Sequence, residues 1–334
     1  MEDTGLKTLD EVIEDGTLRI DEPKVKSPQD RFRERCISFG YAGGLYRQLR
    51  EKCYGQDEAL KQASLLIYAF IRNLAFKKTS PRLNFIIEGT SGCGKTTFAK
   101  ALQEILDPIP VVIADASMIT AAGYTGAQST DILESPFLQE FGYAGVVILD
   151  EADKLMCPQF GSNGNNYSLA TLNNFLKMLD GDSVMTRDGT EIYCGRLLFI
   201  CMGAFSDLRG QEQTVTHIGF DSRTEHIYQK HISQSMLADY GQSEQFVGRF
   251  VSVIPFNKPS MDVLRRVAID TVNEISDIYG THNLKAVREN IGKIISKAAN
   301  SEFGCRNIRN DIWAYFLVHN NCFDGLPGNW ADGA

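Results

Sequence analysis

The residues best suited to chemistry form one short stretch, residues 89–96, which reads GTSGCGKT. An apolar segment over residues 83–87 precedes it and predicts a buried strand. Phe98, Leu102 and Ile105 recur at helical spacing after it and predict a helix. A strand, a glycine loop and a helix N-terminus together form a cradle whose backbone N–H groups bind phosphate oxygens. The sequence therefore predicts a phosphate-binding loop.

The two side chains that follow the last glycine of this loop have specific chemical roles. Lys95 is placed to reach the β- and γ-phosphates of a nucleotide, and the Thr96 hydroxyl is placed to ligate Mg²⁺. We therefore expect ATP and Mg²⁺ as cofactors. The loop residues expected to contact the nucleotide are Gly89, Thr90, Ser91, Gly92, Cys93, Gly94, Lys95, Thr96 and Thr97.

A second candidate group is the acidic pair Asp150 and Glu151. The four apolar residues before it, 146–149, predict a fully buried strand of a parallel sheet. Ligands of open α/β sheets bind at the carboxyl ends of such strands, where this pair lies. Asp150 is expected to hold the Mg²⁺ shell, and Glu151 to polarise the attacking water as a general base. The position of the pair downstream of a phosphate loop favours this role over a chance acidic pair.

The composition limits the classes of function. The 334 residues carry a formal net charge of -8 with a sequence pI of about 5.3, which disfavours a broad nucleic-acid-binding face. Eight cysteines occur without a C-x-x-C pair, so we expect reduced thiols rather than a zinc ribbon. No apolar run reaches membrane-spanning length, and the first residues do not begin a secretory signal. We expect a soluble, cytoplasmic protein without nucleic-acid or membrane partners.

Changes in composition along the chain predict four segments. Residues 1–35 begin with a strongly acidic stretch and are predicted to be a poorly ordered tail. Residues 36–257 carry the patterns of an α/β domain with a parallel sheet, although residues 206–245 read as irregular and polar. Residues 258–320 read as a small helical domain, and residues 321–334 as a flexible tail.

Taken together, these motifs resemble those of AAA+ protein unfoldases, most closely the ClpX and HslU type. The resemblance extends over residues 53–309 and includes the two nucleotide motifs already described. The other motifs that carry it are YGQDEA at 54–59, AGYTG at 122–126, LLFICMGAF at 197–205, FVGRF at 246–250 and GCRNIR at 304–309. It implies the AAA+ form of the P-loop NTPase fold, in which a parallel αβα sheet carries a small helical lid.

The resemblance also implies roles for individual residues. It places Tyr54 against the adenine, and it matches Tyr124 to the aromatic residue that grips a polypeptide in a central pore. For Tyr124 the local sequence also allows a turn in which the ring folds back onto the core. Arg249 matches the arginine finger that reaches the γ-phosphate of a neighbouring subunit, and Arg306 matches the sensor-2 arginine of the lid. For each arginine the alternative is an ordinary surface ion pair. The catalytic set expected from motifs and resemblance comprises Lys95, Asp150, Glu151, Arg249 and Arg306.

Partners follow from the same resemblance. Unfoldases of this type act as rings, so we expect a homo-oligomer, a hexamer, with polypeptide as its substrate. Ile218, Gly219 and Phe220 lie where ClpX carries the loop that docks on the ClpP peptidase. An apolar tripeptide in a polar segment is a suitable anchor, and docking on a ClpP-type peptidase is the resulting hypothesis.

The chain departs from this family in three places. No cysteine quartet precedes Cys53, so the N-terminal zinc-binding domain of ClpX is not expected. Residues 182–195 look too short for the basic substrate-entry loop of ClpX, since Arg187 is their only basic residue. Met202 stands where a small residue is usual, and the sensor-1 role is left unassigned.

The function expected from these observations is ATP-dependent unfolding, in which hydrolysis pulls a polypeptide through the pore of a ring and delivers it to a peptidase. One alternative is a non-proteolytic AAA+ remodeller that disassembles a specific complex, which would keep every ATPase residue. A nucleic-acid-associated loader is a second alternative, disfavoured by the acidic charge and by Tyr124. A small-molecule kinase would need neither Arg249 nor Arg306.

Overall fold

The structure is a computed structural model that describes residues 26–76, 82–119, 129–156, 175–206, 213–216, 224–227, 232–239, 244–280, 284–301 and 303–319. These residues build two parts, an α/β part around a parallel sheet and a helical part that follows it in the chain. The site described below lies where the two parts meet.

A five-stranded sheet organises the α/β part. The described residues contain nine strands, of which five form this sheet and four form two separate pairs, β4–β5 and β7–β8. In chain order the strands are β1 (Phe85–Glu88), β2 (Val111–Asp115), β3 (Gly145–Asp150), β4 (Ser183–Met185), β5 (Glu191–Tyr193), β6 (Leu197–Gly203), β7 (Gln213–Thr216), β8 (Thr224–Ile227) and β9 (Ser252–Pro255). The main sheet has the order β2–β3–β6–β1–β9, and each neighbouring pair is parallel. Parallel strands covered on both faces read as apolar runs, which is why β3 and β6 were recognisable in the sequence.

Alternate residues of the central strands enter two separate cores. Ile87, Ile148 and Ile200 face one core, whereas Val147 and Phe199 face the other, as the two-residue period of a strand requires.

The helices of this part are α1 (Pro28–Phe39), α2 (Ala42–Lys52), α3 (Asp57–Ala75), α4 (Lys95–Leu106), α5 (Pro136–Glu140), α6 (Ala152–Met156), α7 (Gln234–Asp239) and α8 (Glu244–Val247). Because the strands are parallel, their carboxyl ends share one edge, and this edge carries the predicted catalytic carboxylates.

The helical part has a core of its own. It consists of α9 (Met261–Tyr279), α10 (Lys285–Ala299) and α11 (Gly304–His319), whose apolar faces pack together around Leu264, Val287 and Ile308. Ser260 caps α9, since its hydroxyl accepts a hydrogen bond from the Val263 N–H at 3.4 Å. The predicted α/β fold with a parallel sheet and a helical C-terminal part is therefore confirmed. Among the described residues, no helix is both long enough and apolar enough to cross a membrane.

Two expectations about local structure were wrong. Residues 28–35 were assigned to a poorly ordered tail, but they lie in α1, whose Phe32, Cys36 and Phe39 are buried in the α/β core. Residues 206–245 were read as irregular, but their described portions contain α7, the start of α8 and an antiparallel pair of strands, β7 and β8. These two strands pair with each other and not with the main sheet, so a polar segment here still forms regular structure.

Candidate functional site

The phosphate-binding loop connects the end of β1 to the first residue of α4. Gly92 and Gly94 have positive φ angles of 73° and 106°, a conformation that residues with a Cβ rarely adopt. A Cβ added at Gly92 would lie 1.9 Å from the carbonyl oxygen of Phe303 in the helical part. Glycine at these positions therefore allows the loop both to turn tightly and to pass directly against the helical part.

Lys95, the first residue of α4, folds its side chain back over this loop. Its Nζ donates hydrogen bonds to the carbonyl oxygens of Gly89 at 2.6 Å and Thr90 at 3.1 Å. Both partners are neutral carbonyls, and charged phosphate oxygens would be stronger acceptors for an ammonium group. The loop therefore holds Lys95 in place and leaves it able to exchange these bonds for phosphate contacts.

Asp150 ends β3 opposite the start of α4. Its Oδ2 accepts a hydrogen bond from the Thr96 hydroxyl at 3.3 Å. A hydroxyl and a carboxylate oxygen are hard donors of the kind that Mg²⁺ prefers beside nucleotide phosphates. The structure thus brings together the two predicted metal ligands, and their chemistry fits the ion.

Glu151 follows Asp150 in an unusual backbone conformation. Its φ is 55°, a value that is rare for a residue with a long side chain and that clusters at functional sites. The Glu151 carboxylate pairs with the Lys154 ammonium, and this hydrogen bond raises the pKa of Lys154. The predicted general base is therefore present at the carboxyl end of β3 with a cation as its partner.

A cavity of about 550 Å³ lies where the carboxyl ends of the strands meet the helical part. This volume falls in the range of small-molecule sites. The predicted site residues that line it are Tyr54, Ser91, Gly92, Cys93, Gly94, Lys95, Thr96, Thr97, Asp150, Glu151 and Arg306. Gly89 and Thr90, which were also predicted to contact the nucleotide, contribute the carbonyl groups that hold Lys95.

Tyr54 and α9 form a further wall of this cavity. The guanidinium carbon of Arg266 lies 5.5 Å from the centroid of the Tyr54 ring. Burial, together with a hydrogen bond to Asp270, raises the pKa of the Tyr54 hydroxyl. Val263 and Val267 line the cavity beside it, so this wall offers an aromatic ring and aliphatic groups that suit a planar base.

The two predicted catalytic arginines have different surroundings. Arg306, in the first turn of α11, is exposed and lines the cavity, and within the described ranges its guanidinium makes no ion pair. Arg249 follows α8 and lies outside the cavity lining. Its Nε and Nη2 donate to the two carboxylate oxygens of Asp180, at 2.8 and 2.6 Å. The structure therefore brings Arg306, but not Arg249, to the site of the same chain.

The remaining predicted residues lie outside the described residues. These are Tyr124, which was assigned to the pore, and Ile218, Gly219 and Phe220, which were assigned to peptidase docking. Their roles stay predictions.

Two polar residues near the cavity had no assigned role in the sequence analysis. Gln56 is 3% exposed, and its amide bonds to the backbones of Cys93 and Asn257. Asp153 accepts a hydrogen bond from the Phe205 N–H at 3.1 Å, which fixes the chain just after β6. For Gln56 the only available signal was its place in the YGQDEA motif, since the partners of a buried amide cannot be read from local sequence.

Two of the three cysteines that line the cavity, Cys93 and Cys305, offer no nucleophilic chemistry. Burial raises the pKa of the Cys93 thiol, and burial raises the pKa of Cys305 to about 11. Thiols with raised pKa values stay protonated near neutral pH and are poor nucleophiles. We therefore assign both side chains to packing at the contact between the phosphate loop and α11.

Comparison with known proteins supports a nucleotide site. Residues 80–253, more than half of the chain, match the family described as AAA domain (Cdc48 subfamily). The chain is 25% identical over 287 residues to the ATP-dependent Clp protease ATP-binding subunit ClpX 2 of Wolinella succinogenes, covering 76% of this chain and 70% of that protein.

Two further relatives carry the name ATP-dependent Clp protease ATP-binding subunit ClpX. The protein from Bacteroides thetaiotaomicron is 25% identical over 301 residues, which cover 77% of this chain and 71% of the relative. The protein from Treponema denticola is 24% identical over 311 residues, which cover 80% of this chain and 74% of the relative. The similarity therefore extends beyond the AAA domain match into the helical part.

Proposed function

This chain belongs to the AAA domain family and is a ClpX-like ATPase, and from that premise we propose that it forms a hexameric ring that unfolds polypeptides and pulls them through a central pore. The observation that carries the proposal is the cavity between the sheet edge and the helical part, which both parts line. A nucleotide bound there would contact both parts at once. A change in its phosphates would then alter how the parts are oriented, which is the property that a mechanical ATPase needs.

In this proposal the phosphate loop and Lys95 bind the β- and γ-phosphates. Backbone N–H groups of the loop and of the N-terminus of α4 donate hydrogen bonds to the phosphate oxygens and stabilise their negative charge. Lys95 exchanges its carbonyl partners for phosphate oxygens. Thr96 and Asp150 would hold Mg²⁺, which when bound supplies positive charge beside the phosphate oxygens. The 3.3 Å contact between these two side chains supports that assignment.

Glu151 orients the attacking water and accepts its proton. The pair that Glu151 forms with Lys154 is about half exposed on both sides, and exposed ion pairs are worth only about 0–1 kcal/mol. The carboxylate therefore exchanges Lys154 for a water molecule at little cost when nucleotide is bound. Without nucleotide, the Glu151 carboxylate is therefore paired with Lys154 and does not hold the attacking water.

Arg249 acts on a neighbouring copy of the chain. Its absence from the lining of its own cavity supports this assignment, as does the Asp180 carboxylate that orients it. An arginine supplied from a second subunit completes the charge balance of phosphoryl transfer only when that subunit is present. Hydrolysis would therefore depend on assembly of the ring.

Traction on the polypeptide is assigned to Tyr124, and delivery to a ClpP-type peptidase to Ile218, Gly219 and Phe220. The support for both is the place of these residues between motifs that the chain shares with ClpX-like proteins. The relatives are named as ATP-binding subunits of the Clp protease, which supports testing a peptidase partner.

The proposal is tested by the conservative variant Glu151→Gln, which keeps the size of the side chain and one acceptor oxygen but removes its charge and its basicity. We expect this variant to bind ATP and to assemble like the wild type, while ATP turnover falls by at least about a hundredfold because the general base is lost. ATP binding would be measured by titration, assembly by light scattering, and turnover by phosphate release. Wild-type turnover in this variant would remove Glu151 from the mechanism.

Unfolding is tested in the same preparation with a fluorescent protein that carries an unstructured tail. Wild-type protein with ATP should abolish the fluorescence, whereas Glu151→Gln and Tyr124→Ala should not. Tyr124→Ala should retain ATP turnover, because its proposed contact is with the polypeptide and not with the nucleotide. An ATPase that leaves the fluorescence unchanged under all conditions would refute the unfolding role and keep the ATPase assignment.

A further inference from the structure

Gln56 is a buried amide whose hydrogen-bonding groups face backbone from two distant parts of the chain. It is 3% exposed and immediately precedes α3, but it makes no side-chain bond to the N-terminus of that helix. Its Nε2 donates to the carbonyl oxygens of Cys93 at 3.0 Å and Asn257 at 2.8 Å. Its Oε1 accepts from the Asn257 N–H at 2.9 Å. Both amide hydrogens and the carbonyl oxygen are therefore used.

The two backbone partners of Gln56 have functional positions. Cys93 lies in the phosphate loop between Gly92 and Gly94, the two residues with positive φ. Asn257 lies between the end of β9 and the cap of α9, in the covalent connection between the α/β part and the helical part. One side chain thus joins the phosphate loop to the segment about which the helical part would turn.

A second contact joins the same loop to the helical part from the other side. The Cys305 N–H at the start of α11 donates to the Gly92 carbonyl oxygen at 3.3 Å. Neighbouring peptide groups of the loop, at residues 92 and 93, are therefore bonded to α11 directly and to the connecting segment through Gln56. A rearrangement of this short stretch cannot occur without displacing one of these contacts.

We propose that Gln56 is a positioning residue that transmits phosphate occupancy of the loop to the orientation of the helical part. Phosphate oxygens attract the N–H groups of the loop, and each peptide plane that turns an N–H toward phosphate also reorients its carbonyl group. When the Cys93 carbonyl moves, its hydrogen bond displaces Gln56, and the two hydrogen bonds between Gln56 and Asn257 then displace Asn257. The orientation of α9 to α11, and with it the position of Arg306, then depends on whether phosphate is bound. This inference rests on the nucleotide site of the proposed function.

A purely structural amide provides the matched control. Asn84 is 2% exposed, donates from Nδ2 to the Leu179 carbonyl at 3.0 Å and accepts at Oδ1 from the Phe199 N–H at 3.0 Å. It bridges backbone segments within the α/β part and does not line the cavity. If Gln56 only stabilised the fold, Gln56→Leu and Asn84→Leu would affect the protein in the same way.

The experiment measures hydrogen–deuterium exchange of the full chain over residues 257–264, with and without saturating ADP. In the wild type and in Asn84→Leu we expect ADP to slow exchange in this segment. In Gln56→Leu the exchange without ADP is already faster, since Asn257 loses its acceptor, so the readout is the change caused by ADP. We expect that change to disappear, while ADP affinity falls by no more than about tenfold, the size expected for losing one or two hydrogen bonds near the site.

A second variant keeps the test decisive if Gln56→Leu folds poorly. Gln56→Glu preserves the size of the side chain and the acceptor for Asn257, but it replaces the donor to Cys93 with a carboxylate oxygen that repels the carbonyl. It should also lose the effect of ADP on residues 257–264. An ADP effect of wild-type size in either folded variant, or its equal loss in Asn84→Leu, would overturn the coupling. Failure of the wild type to bind ADP would instead overturn the proposed function.

Discussion

The turn that carries Arg249 and the start of α11 that carries Arg306 are two regions built in opposite ways. Arg249 is flanked by Phe246 and Phe250, which are buried against each other with ring centroids 5.3 Å apart. Its guanidinium makes a bidentate pair with Asp180. Arg306 lies in the first turn of a helix that begins with Gly304, and its side chain is exposed at the cavity.

In the sequence, Arg249 and Arg306 are both arginines within a motif, and nothing local distinguishes their roles. Their different surroundings in the structure indicate different roles. A bidentate carboxylate partner fixes the direction of a guanidinium, which suits an arginine that must be presented to another molecule. An exposed arginine within a cavity is free to follow the ligand and the movement of its own helix. We infer that Arg249 serves the site of a neighbouring copy and Arg306 the site of its own chain.

The largest effect is expected for Arg249→Ala. Turnover should fall by about a thousandfold, because an arginine supplied in trans typically contributes that much to phosphoryl transfer. ATP binding should change far less than turnover, since Arg249 does not line its own cavity and its proposed contribution to the neighbouring site is to phosphoryl transfer. Mixing this variant with Glu151→Gln should restore turnover, because some interfaces then combine an intact Arg249 with an intact Glu151. Phosphate release from the mixed and separate proteins measures this recovery.

Arg306→Ala mixed with Glu151→Gln is the control for that experiment. If Arg306 acts within its own chain, no interface in this mixture is complete, and the turnover should not exceed the average of the two components. Recovery in both mixtures, or in neither, would break the distinction between the two arginines.

Arg306→Ala alone should have an intermediate effect. We expect affinity for a non-hydrolysable ATP analogue to fall by about tenfold or more, because a hydrogen bond to a charged group is worth about 1.5–3 kcal/mol. We propose that Arg306 contacts the γ-phosphate, which ADP lacks, so ADP affinity should change less. Arg265→Ala is the matched control, because Arg265 lies in α9 and pairs with Asp262 of the same helix. Equal losses for the analogue and ADP would place Arg306 away from the γ-phosphate.

The parts of this structure that local sequence predicted are those that local physics determines. The apolar run before Asp150 predicts a buried strand, and the glycines of residues 89–94 predict a phosphate cradle, each from a span of only a few residues. Helix α1 shows how two local signals compete. Phe32, Cys36 and Phe39 have the spacing of a helical face, but the acidic residues before them led to the prediction of a tail.

Contacts between distant segments could not be predicted in this way. Gln56 and Asn257 are separated by 201 positions, and Asp180 and Arg249 by 69. Neither the period of the apolar residues nor any motif specifies which buried amide or carboxylate will meet which partner, because that depends on how the sheet and helices pack. The partner of Arg249 was accordingly absent from the predicted site.

Asp180→Asn tests whether Asp180 orients Arg249 or supports the fold. Of the variants discussed, this one is expected to have the smallest effect. The side chains of Arg249 and Asp180 are 22% and 39% exposed, and ion pairs that solvent reaches contribute about 0–1 kcal/mol. The unfolding free energy from urea titration should therefore fall by less than about 1 kcal/mol. Turnover should fall as well, but far less than in Arg249→Ala, because the guanidinium remains and only its direction is less fixed. A loss of several kcal/mol with normal turnover would make the pair a structural one and would assign Arg249 to the fold rather than to a neighbouring site.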